Sequence, residues 1–372
     1  MKKSPAILGG SKTRNTPFLF RKTIGEEEKN AVMKVMDSDV LSAFIGAPGE
    51  KFLGGAKVLE FENNWKKEYG FKHAISVNSW TSGLIICVGA IGIEPGDEVI
   101  CSPYTMSASA TSVLFYGGIP VFADIDPETY NIDPLSIESK ITERTKAIFV
   151  VHIFGHCADM DGIMKLAKKY NLKVIEDAAQ APGIKYKGKS IGGIGDIGGF
   201  SLNFHKHIHT GEGGMIVTND DNLAFKAQLI RNHGENYASK LKINDLPNII
   251  GGNYRLTELQ AAIGIVQLKK LQKIISHRKT LANFLHNEIK KIDCLETFPS
   301  IPEIEHSYYG FVIKFNKELA GISRTLFVKS VNAEFLNADG WESVPLAEGY
   351  VEPLYLNPIY QNQIAIGSKG FP

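Results

Sequence analysis

A lysine at position 206 stands where an amine could react with a ligand. The segment Ser201–Gly214, SLNFHKHIHTGEGG, places Lys206 between an aromatic-rich strand and a glycine-rich turn, so a planar ligand can approach the backbone closely. A half-buried lysine loses its proton more readily than one in water, and the neutral amine is a nucleophile. A single lysine is usually a solvated surface residue, so this interpretation needs partners elsewhere in the chain.

Polar residues follow two predicted strands at the point where each strand ends. The turn Asn78–Gly83, NSWTSG, follows HAISV, and its hydroxyls at a helix N-terminus suit a phosphate, although an ordinary N-cap would have the same residues. After KVIE, Asp177 places a carboxylate at a strand end, and Gln180 follows three residues later. Such an aspartate is often a cap. Ligands of α/β sheets nevertheless bind at this edge, so both segments are candidates.

Two further motifs point to other chemistry and are weaker. Gly193-x-Gly195-x-x-Gly198 matches the dinucleotide fingerprint, but GGFSL follows it where that fingerprint requires a helix. The alternating histidines 205, 207 and 209 could bind a metal, but no nearby carboxylate or cysteine completes a ligand set. We therefore predict neither a nicotinamide site nor a metal site.

The composition excludes several classes of protein. The 372 residues carry 41 Lys+Arg and 40 Asp+Glu, a formal net charge of +1, so no general attraction to nucleic acid or membrane is expected. No stretch approaches the ~20 apolar residues of a membrane span, and the N-terminus lacks the apolar core of a secretory signal. The four cysteines are dispersed, which disfavours a disulfide scaffold. These features predict a cytoplasmic globular protein.

The elements that must position these residues are short strands alternating with helical patterns from about residue 73. This alternation predicts a mainly parallel, doubly wound α/β sheet. Residues 257–292 are periodic enough for a long helix, which we expect to contain one or more breaks. Residues 306–315, HSYYGFVIKF, are predicted to form a strand that opens a smaller α+β lobe.

Taken together, the motifs resemble the DegT/DnrJ-type sugar aminotransferases. The likeness extends from about Ile24 to the C-terminus. It is specific because separated motifs occur in the family's order: NSWTSGL, PGDEVI, PVFADIDPETYNIDP, TKAIFVVHIFG, ADMDGIMKLAKKY, VIEDAAQA, GDIGGFSLNFHKHIHTGEGG and NYRLTELQAAIG.

The resemblance implies the aspartate-aminotransferase fold, which is pyridoxal-phosphate fold type I. It consists of a large domain with a mainly parallel seven-stranded sheet flanked by helices, and a smaller α+β C-terminal domain. We expect an N-terminal arm over residues 1–23, a large cofactor domain over 24–270 and a small domain over 271–372 that is truncated at its end.

The resemblance also assigns site residues. Lys206 matches the lysine that forms the internal aldimine with pyridoxal 5'-phosphate, and Asp177 matches the carboxylate that pairs with the pyridinium nitrogen. Gln180 matches the amide beside the cofactor's ring oxygen. The phosphate-binding hydroxyls are matched by Thr81, Ser82 and Ser201, and Asn253 matches a residue that the partner subunit supplies. A homodimer with shared active sites is therefore implied.

The implied reaction takes an amine from glutamate or glutamine, with pyridoxamine phosphate as the intermediate form of the cofactor. A keto-sugar, most simply a nucleotide-linked one, then accepts the amine in amino-sugar and surface polysaccharide biosynthesis. Four alternatives stay open: an inosose acceptor, a small phosphorylated ketone acceptor, a sugar dehydratase and a non-catalytic family member.

Two positions depart from the family pattern. Met106 stands where many members have an aromatic ring that stacks on the cofactor, so we assign no stacking residue. Trp80 stands where the family often has a smaller residue such as glycine. We expect this large side chain to reshape either the phosphate turn or the substrate side of the pocket.

Overall fold

The computed structural model of the chain describes residues 4–18, 21–242, 248–298, 301, 303–336 and 345–367. The end of the predicted small domain, residues 368–372, lies outside this part. The chain divides by its internal contacts into a larger unit, Ile24–Ala282 with Pro299–Phe311 and Glu352–Pro372, and a smaller unit, Met1–Thr23 with Asn283–Phe298 and Val312–Val351. The domain limits expected at residues 23 and 270 stay predictions.

A seven-stranded sheet forms the centre of the larger unit. Its strands lie in the order β1-β9-β8-β5-β4-β2-β3. Their bounds, with those of two small two-stranded sheets, are β1 His73–Val77, β2 Glu98–Cys101, β3 Ile119–Phe122, β4 Thr145–Val151, β5 Lys173–Asp177, β6 Lys185–Tyr186, β7 Lys189–Ser190, β8 Ile197–Ser201, β9 Gly214–Thr218, β10 Leu295–Thr297 and β11 Ile313–Phe315.

The central sheet is parallel from β3 to β8, and β9 runs antiparallel between β8 and β1. In β4, TKAIFVV, every residue except Lys146 is buried, as expected for a strand covered on both faces. The predicted mainly parallel α/β sheet is confirmed. Because β5 lies fourth of seven, its carboxyl end opens at the middle of the sheet edge.

In the larger unit, helices connect the strands and cover the sheet. The helices described in the two units are α1 Glu26–Asp37, α2 Ala56–Tyr69, α3 Trp80–Ile91, α4 Ala108–Leu114, α5 Pro134–Lys140, α6 Met160–Tyr170, α7 Asp221–Arg231, α8 Gly234–Leu241, α9 Glu258–Ile289, α10 Lys317–Ala320, α11 Arg324–Ala333 and α12 Pro358–Gln361. In the described ranges, no helix combines the length and the apolar character needed to cross a membrane.

The expected breaks in the long helix are wrong. Helix α9 runs through 32 residues without interruption. The glycine inside it, Gly264, is explained by packing, because a Cβ there would lie 2.6 Å from the ring of Phe61. This glycine makes room for an aromatic side chain of α2 instead of ending the helix.

The strand predicted over residues 306–315 is also largely wrong, because only Ile313–Phe315 pairs, with β10. The residues before it are held by side chains. Arg278 donates from Nη1 to the carbonyls of Tyr308 and Tyr309, at 2.7 and 3.3 Å, and Tyr308 has a positive φ of 51°. These bonds satisfy carbonyls that a strand would use in a ladder, so the segment bends toward the site described below.

A buried ion pair between Arg231 and Glu62 connects β1 with two helices beside the sheet. Arg231, at the end of α7, is fully buried and donates from Nη1 to Oε1 of Glu62 in α2 at 2.7 Å. The same nitrogen donates to the carbonyl of Ser76 in β1 at 3.1 Å, and the Ser76 hydroxyl also donates to Glu62. This network fixes the strand that leads into the turn at residues 78–83.

Replacement of Arg231 tests how much this network stabilises the fold. Arg231→Leu leaves the Glu62 carboxylate without its cation inside the protein, which should cost about 3–5 kcal/mol of unfolding free energy. The midpoint of urea denaturation, followed by circular dichroism, measures the loss. Lys29→Leu is the matched control, because its pair with Glu26 is exposed on both sides and is worth at most about 1 kcal/mol. Equal midpoints for the two variants would contradict the expected role of Arg231.

Candidate active site

A buried carboxylate marks the carboxyl end of β5. Asp177 is 5% exposed and accepts three hydrogen bonds. Oδ1 accepts from the indole Nε1 of Trp80 at 2.8 Å and from the backbone N–H of Ala179 at 3.1 Å, and Oδ2 accepts from the hydroxyl of Ser109 at 2.9 Å. These donors, drawn from α3, α4 and the chain after β5, offset the cost of burying a charged group.

The amine of Lys206 belongs to the same site. Lys206 follows β8 in a tight turn, where its N–H donates to the carbonyl of Asn203 at 2.9 Å, and it is 7% exposed. Its Nζ lies 4.5 Å from the ring centroid of Tyr309. Burial lowers the pKa of Lys206 to about 8, and the charge of Asp177 acts in the opposite direction. The lysine is therefore close to losing its proton near neutral pH.

The neighbouring histidines have different surroundings. His207 is fully buried, and its Nε2 lies 2.9 Å from the carbonyl of Ser307. The ring of His205 packs edge-on against Phe204 at 5.3 Å. The charge of Asp177 acts on the pKa of Lys206, which lies between these two histidines in the sequence.

Gln180 is held beside these groups by the backbone. Its Oε1 accepts from the N–H of Phe154 at 2.6 Å, and its carbonyl accepts from the hydroxyl of Ser307 at 2.9 Å. Gly155 is required at this contact, because its φ is +85° and a Cβ there would lie 2.2 Å from the Ser307 hydroxyl. The amide three residues after Asp177 is therefore oriented at the same strand end.

The first turn of α3 presents hydroxyls near the end of β1. Ser79 caps the helix, with its Oγ 3.1 Å from the N–H of Ser82 and 2.9 Å from the Ser82 hydroxyl. Thr81 is exposed, and Ser82 is half-buried. Ser201, the last residue of β8, is 7% exposed, and its hydroxyl accepts from the N–H of Asn203 at 3.3 Å. A helix N-terminus with these hydroxyls suits a phosphate.

Asn253 and Met106 lie at the surface of the single chain. The carbonyl of Asn253 accepts from the side chain of Asn78 at 3.3 Å, next to the turn that begins α3. Asn253 itself is exposed, and Met106 is 58% exposed. The resemblance matches Asn253 to a residue supplied by a partner subunit and gives Met106 no role, and the side chains of both are exposed in the single chain.

Three site contacts were not foreseen from the sequence. Ser109 donates to Asp177, and the ring of Tyr309 lies against Lys206. Trp80 donates to Asp177, a contact that the expected reshaping of the phosphate turn or of the substrate side of the pocket did not include. The only signal for Ser109 was its place in the Ser/Ala/Thr-rich segment after β2. Tyr309 had none, because its segment resembled a strand.

The glycine motif at residues 193–198 serves a structural purpose. It leads into β8, and the N–H groups of Gly192 and Gly195 donate to the buried carboxylate of Glu176. The Nε2 of His152 lies 3.0 Å from the same carboxylate. Across the residues that the structure describes, no group of three or more His, Cys, Asp or Glu side chains could hold a metal ion.

Comparison with known proteins connects this geometry to a family. The model of the DegT/DnrJ/EryC1/StrS aminotransferase family matches residues 22–371. The chain belongs to this family. Its members are pyridoxal-phosphate enzymes, and the structural neighbours have fold type I, so the predicted fold class, cofactor and sugar aminotransferase activity are confirmed.

Individual relatives cover most of this aminotransferase. The GDP-perosamine synthase of Caulobacter vibrioides is 37% identical over 334 residues, which are 90% of this chain and 84% of that protein. The dTDP-3-amino-3,6-dideoxy-alpha-D-galactopyranose transaminase of Aneurinibacillus thermoaerophilus is 37% identical over 309 residues, 82% of this chain and 80% of that protein. Helicobacter pylori PseC, an aminotransferase involved in the biosynthesis of pseudoaminic acid, superimposes with a TM-score of 0.77 at 29% identity, covering 97% and 90% of the two chains.

The residues of this aminotransferase fit pyridoxal phosphate. The cofactor needs an amine for its aldehyde, an anion for its ring nitrogen and donors for its phosphate. Lys206 supplies a buried amine with a lowered pKa, and Asp177 supplies a buried carboxylate. The first turn of α3 supplies backbone N–H groups and hydroxyls. Each requirement is therefore met by a group that the structure places in the larger unit.

The lowered pKa of Lys206 predicts how its reactivity depends on pH. In the apoprotein, modification of Lys206 by trinitrobenzenesulfonate should rise as pH increases through about 8, because only the neutral amine reacts. Asp177→Asn removes the negative charge that favours the ammonium form, so the midpoint should move to lower pH. Peptide mass spectrometry quantifies the modification at each pH.

The matched control for this experiment is Asp161→Asn. Asp161 is an exposed carboxylate paired with Lys187 elsewhere on the surface, and its loss should leave the Lys206 midpoint unchanged. A midpoint near 10.5 in the unaltered protein would contradict the effect of burial on Lys206. A midpoint that does not fall in Asp177→Asn would contradict the proximity of the two groups.

Proposed function

We propose that this aminotransferase moves an amino group from glutamate or glutamine to a nucleotide-linked keto-sugar, with Lys206 and Asp177 as its catalytic residues. The observation that carries the proposal is the burial of a carboxylate at the end of β5 and of an amine in the turn after the neighbouring strand β8, close enough for the charge of Asp177 to act on the pKa of Lys206. The family membership supplies the class of reaction.

Lys206 is proposed to act twice. Its neutral amine would hold pyridoxal phosphate in the site. When not engaged with the cofactor, the same amine would accept a proton from the substrate carbon and return it. A pKa of about 8 suits both tasks, since the amine can accept a proton and return it near neutral pH.

Asp177 is proposed to hold the proton on the ring nitrogen. When bound, pyridoxal phosphate supplies an electron sink for the carbanion left by C–H cleavage. The carboxylate is preorganised by its bonds to Trp80, Ala179 and Ser109, so it does not have to reorient during the reaction. An amide at this position would keep the shape but could not balance the charge of a pyridinium.

The remaining predicted residues are proposed to bind and orient the cofactor. Thr81, Ser82 and Ser201 are the proposed phosphate ligands, together with N–H groups of the first turn of α3. Gln180 is proposed to bond to the ring oxygen. Its orientation is supported by the 2.6 Å bond to Phe154.

The acceptor is inferred from the relatives. A GDP-perosamine synthase and a dTDP-aminosugar transaminase at 37% identity support a nucleotide-linked keto-sugar and a role in amino-sugar or surface polysaccharide biosynthesis. An inosose or a small phosphorylated ketone would use the same cofactor chemistry. The half-reaction test described next distinguishes these acceptors.

The cytoplasmic location of the protein stays a prediction.

A half-reaction test separates the possible functions. With pyridoxal phosphate bound, glutamate should convert the visible absorbance of the enzyme to that of the pyridoxamine form, and one keto compound should restore it. Lys206→Ala should bind cofactor that borohydride cannot fix to the chain, and its turnover should fall by at least about 10³-fold, because it lacks both the tether and the proton carrier. GDP- and dTDP-linked keto-sugars, an inosose and a phosphorylated ketone form the acceptor panel.

The outcomes of this test are distinct. Restoration by an inosose alone would replace the proposed acceptor class. Loss of oxygen from the sugar without net transfer of an amine would make the protein a dehydratase. Absorbance that no amino donor changes would favour a non-catalytic protein, and wild-type turnover by Lys206→Ala would contradict the role of the lysine.

A homodimer with shared active sites is proposed from the position matched by Asn253. The exposure of Asn253 in the single chain supports a role toward a second subunit. If each site combines Lys206 of one subunit with Asn253 of the other, inactive Lys206→Ala and weakened Asn253→Ala proteins should regain activity when mixed. A mixed dimer has one intact site, so up to about half of wild-type activity per dimer is expected.

Subunit exchange is measured by native mass spectrometry alongside activity. As a control, Lys206→Ala mixed with Asp177→Asn should regain nothing, because both changes would lie in the site of the same subunit. Activity of the first mixture that does not exceed the sum of its components, despite subunit exchange, would contradict the shared site.

A further inference from the structure

Trp80 places a large aromatic ring next to the proposed catalytic carboxylate of Asp177. It is the first residue of α3 and is 5% exposed. Its indole N–H donates to Oδ1 of Asp177 at 2.8 Å, between residues 97 positions apart. Two residues that follow it, Thr81 and Ser82, are proposed to bind the cofactor phosphate. One side chain thus connects the phosphate turn to the carboxylate.

The surroundings of Trp80 leave space for the indole. A Cβ at Gly83, one turn further along α3, would lie 2.6 Å from Cε3 of the ring. A Cβ at Gly199 in β8 would lie 2.5 Å from Cη2, and one at Gly214 in β9 would lie 2.9 Å from the Cα of Trp80. The indole therefore lies in a slot between the helix and the sheet, and glycine at position 83 leaves room for its ring. A Cβ at Gly199 would also meet the carbonyl of Met215, and one at Gly214 would meet the backbone of Ser79 and Trp80 whatever the side chain at position 80. The rotamer is fixed by this packing.

The remaining bonding capacity of the carboxylate follows from its partners. An ionised carboxylate has about four lone-pair positions. Among the described residues, Trp80 and Ala179 occupy both positions on Oδ1, and Ser109 occupies one on Oδ2. One position on Oδ2 is left for a further donor. The indole bond thus determines which oxygen can meet the ring nitrogen of the cofactor.

We propose that Trp80 is a positioning residue that acts through Asp177: its indole N–H holds Oδ1 and so presents Oδ2 to the pyridinium nitrogen. This inference rests on the proposed role of Asp177. It assigns a purpose to the tryptophan that stands where the family resemblance predicts a smaller residue. Without the N–H, the carboxylate would keep its charge but lose its fixed orientation.

The first test examines the hydrogen bond in the apoprotein. The chain has three tryptophans, Trp65, Trp80 and Trp341, so a protein labelled with ¹⁵N at the indole nitrogen gives three side-chain signals. Trp65→Phe and Trp341→Phe assign the signals by elimination. Asp177→Asn should move the Trp80 signal and leave that of Trp65 in place. An unmoved Trp80 signal would overturn the inference without any use of cofactor.

The second test measures the consequence for cofactor binding. Pyridoxamine phosphate is the probe, because it has the ring nitrogen and the phosphate but forms no covalent bond to Lys206. Trp80→Phe keeps a ring in the slot and removes the N–H, so the dissociation constant should rise about tenfold or more. Trp65→Phe is the matched control, because the buried indole nitrogen of Trp65 has no hydrogen-bond partner among the described residues and its removal should leave the dissociation constant unchanged.

A double-mutant cycle separates positioning from packing. If Trp80 acts through Asp177, then Trp80→Phe should change the affinity of Asp177→Asn by less than about twofold. An equal loss of affinity in both backgrounds would mean that the tryptophan supports the phosphate turn alone, and the inference would be wrong. Failure of the unaltered protein to bind pyridoxamine phosphate, with the Trp80 signal still moved by Asp177→Asn, would instead overturn the proposed function and with it this role of the bond.

Discussion

The burial of one carboxylate, Asp177, is the constraint on which the site depends. A charged group at the centre of a sheet edge is costly unless donors surround it, and three donors from separate segments meet it here. Helix α3, helix α4 and the chain after β5 must therefore keep fixed positions relative to one another. The same burial makes the carboxylate effective toward a cofactor cation, since little water competes for its charge.

A second network holds the lysine side of the site. Ser307 accepts a hydrogen bond at its carbonyl from His207 and donates from its hydroxyl to the carbonyl of Gln180. It thereby connects the turn that holds Lys206 to the chain after Asp177. Tyr309, two residues further on, places its ring 4.5 Å from the amine. An irregular segment does this more readily than a strand, because its carbonyls bond to Arg278 and its backbone can bend around the lysine.

The family match supports the class of reaction, and the physical chemistry of the site supports the role of individual residues. The match over residues 22–371 establishes an aminotransferase family and its cofactor. The burial and lowered pKa of Lys206 give a reason why this lysine can serve as nucleophile and proton carrier. At Trp80 the sequence resemblance predicts a smaller residue, and glycine at position 83 leaves room for the indole.

Hydrophobic periodicity predicted the central sheet, and the position of Asp177 directly after KVIE predicted that it ends a strand, because both are local properties of the chain. The same periodicity failed for the long helix, where the expected breaks are absent from α9. The contacts of the Trp80 indole with Asp177 and of the Tyr309 ring with Lys206 arise from the packed fold alone. Such contacts join residues distant in sequence, and they depend on how side chains fill the space between packed elements, which no local pattern specifies.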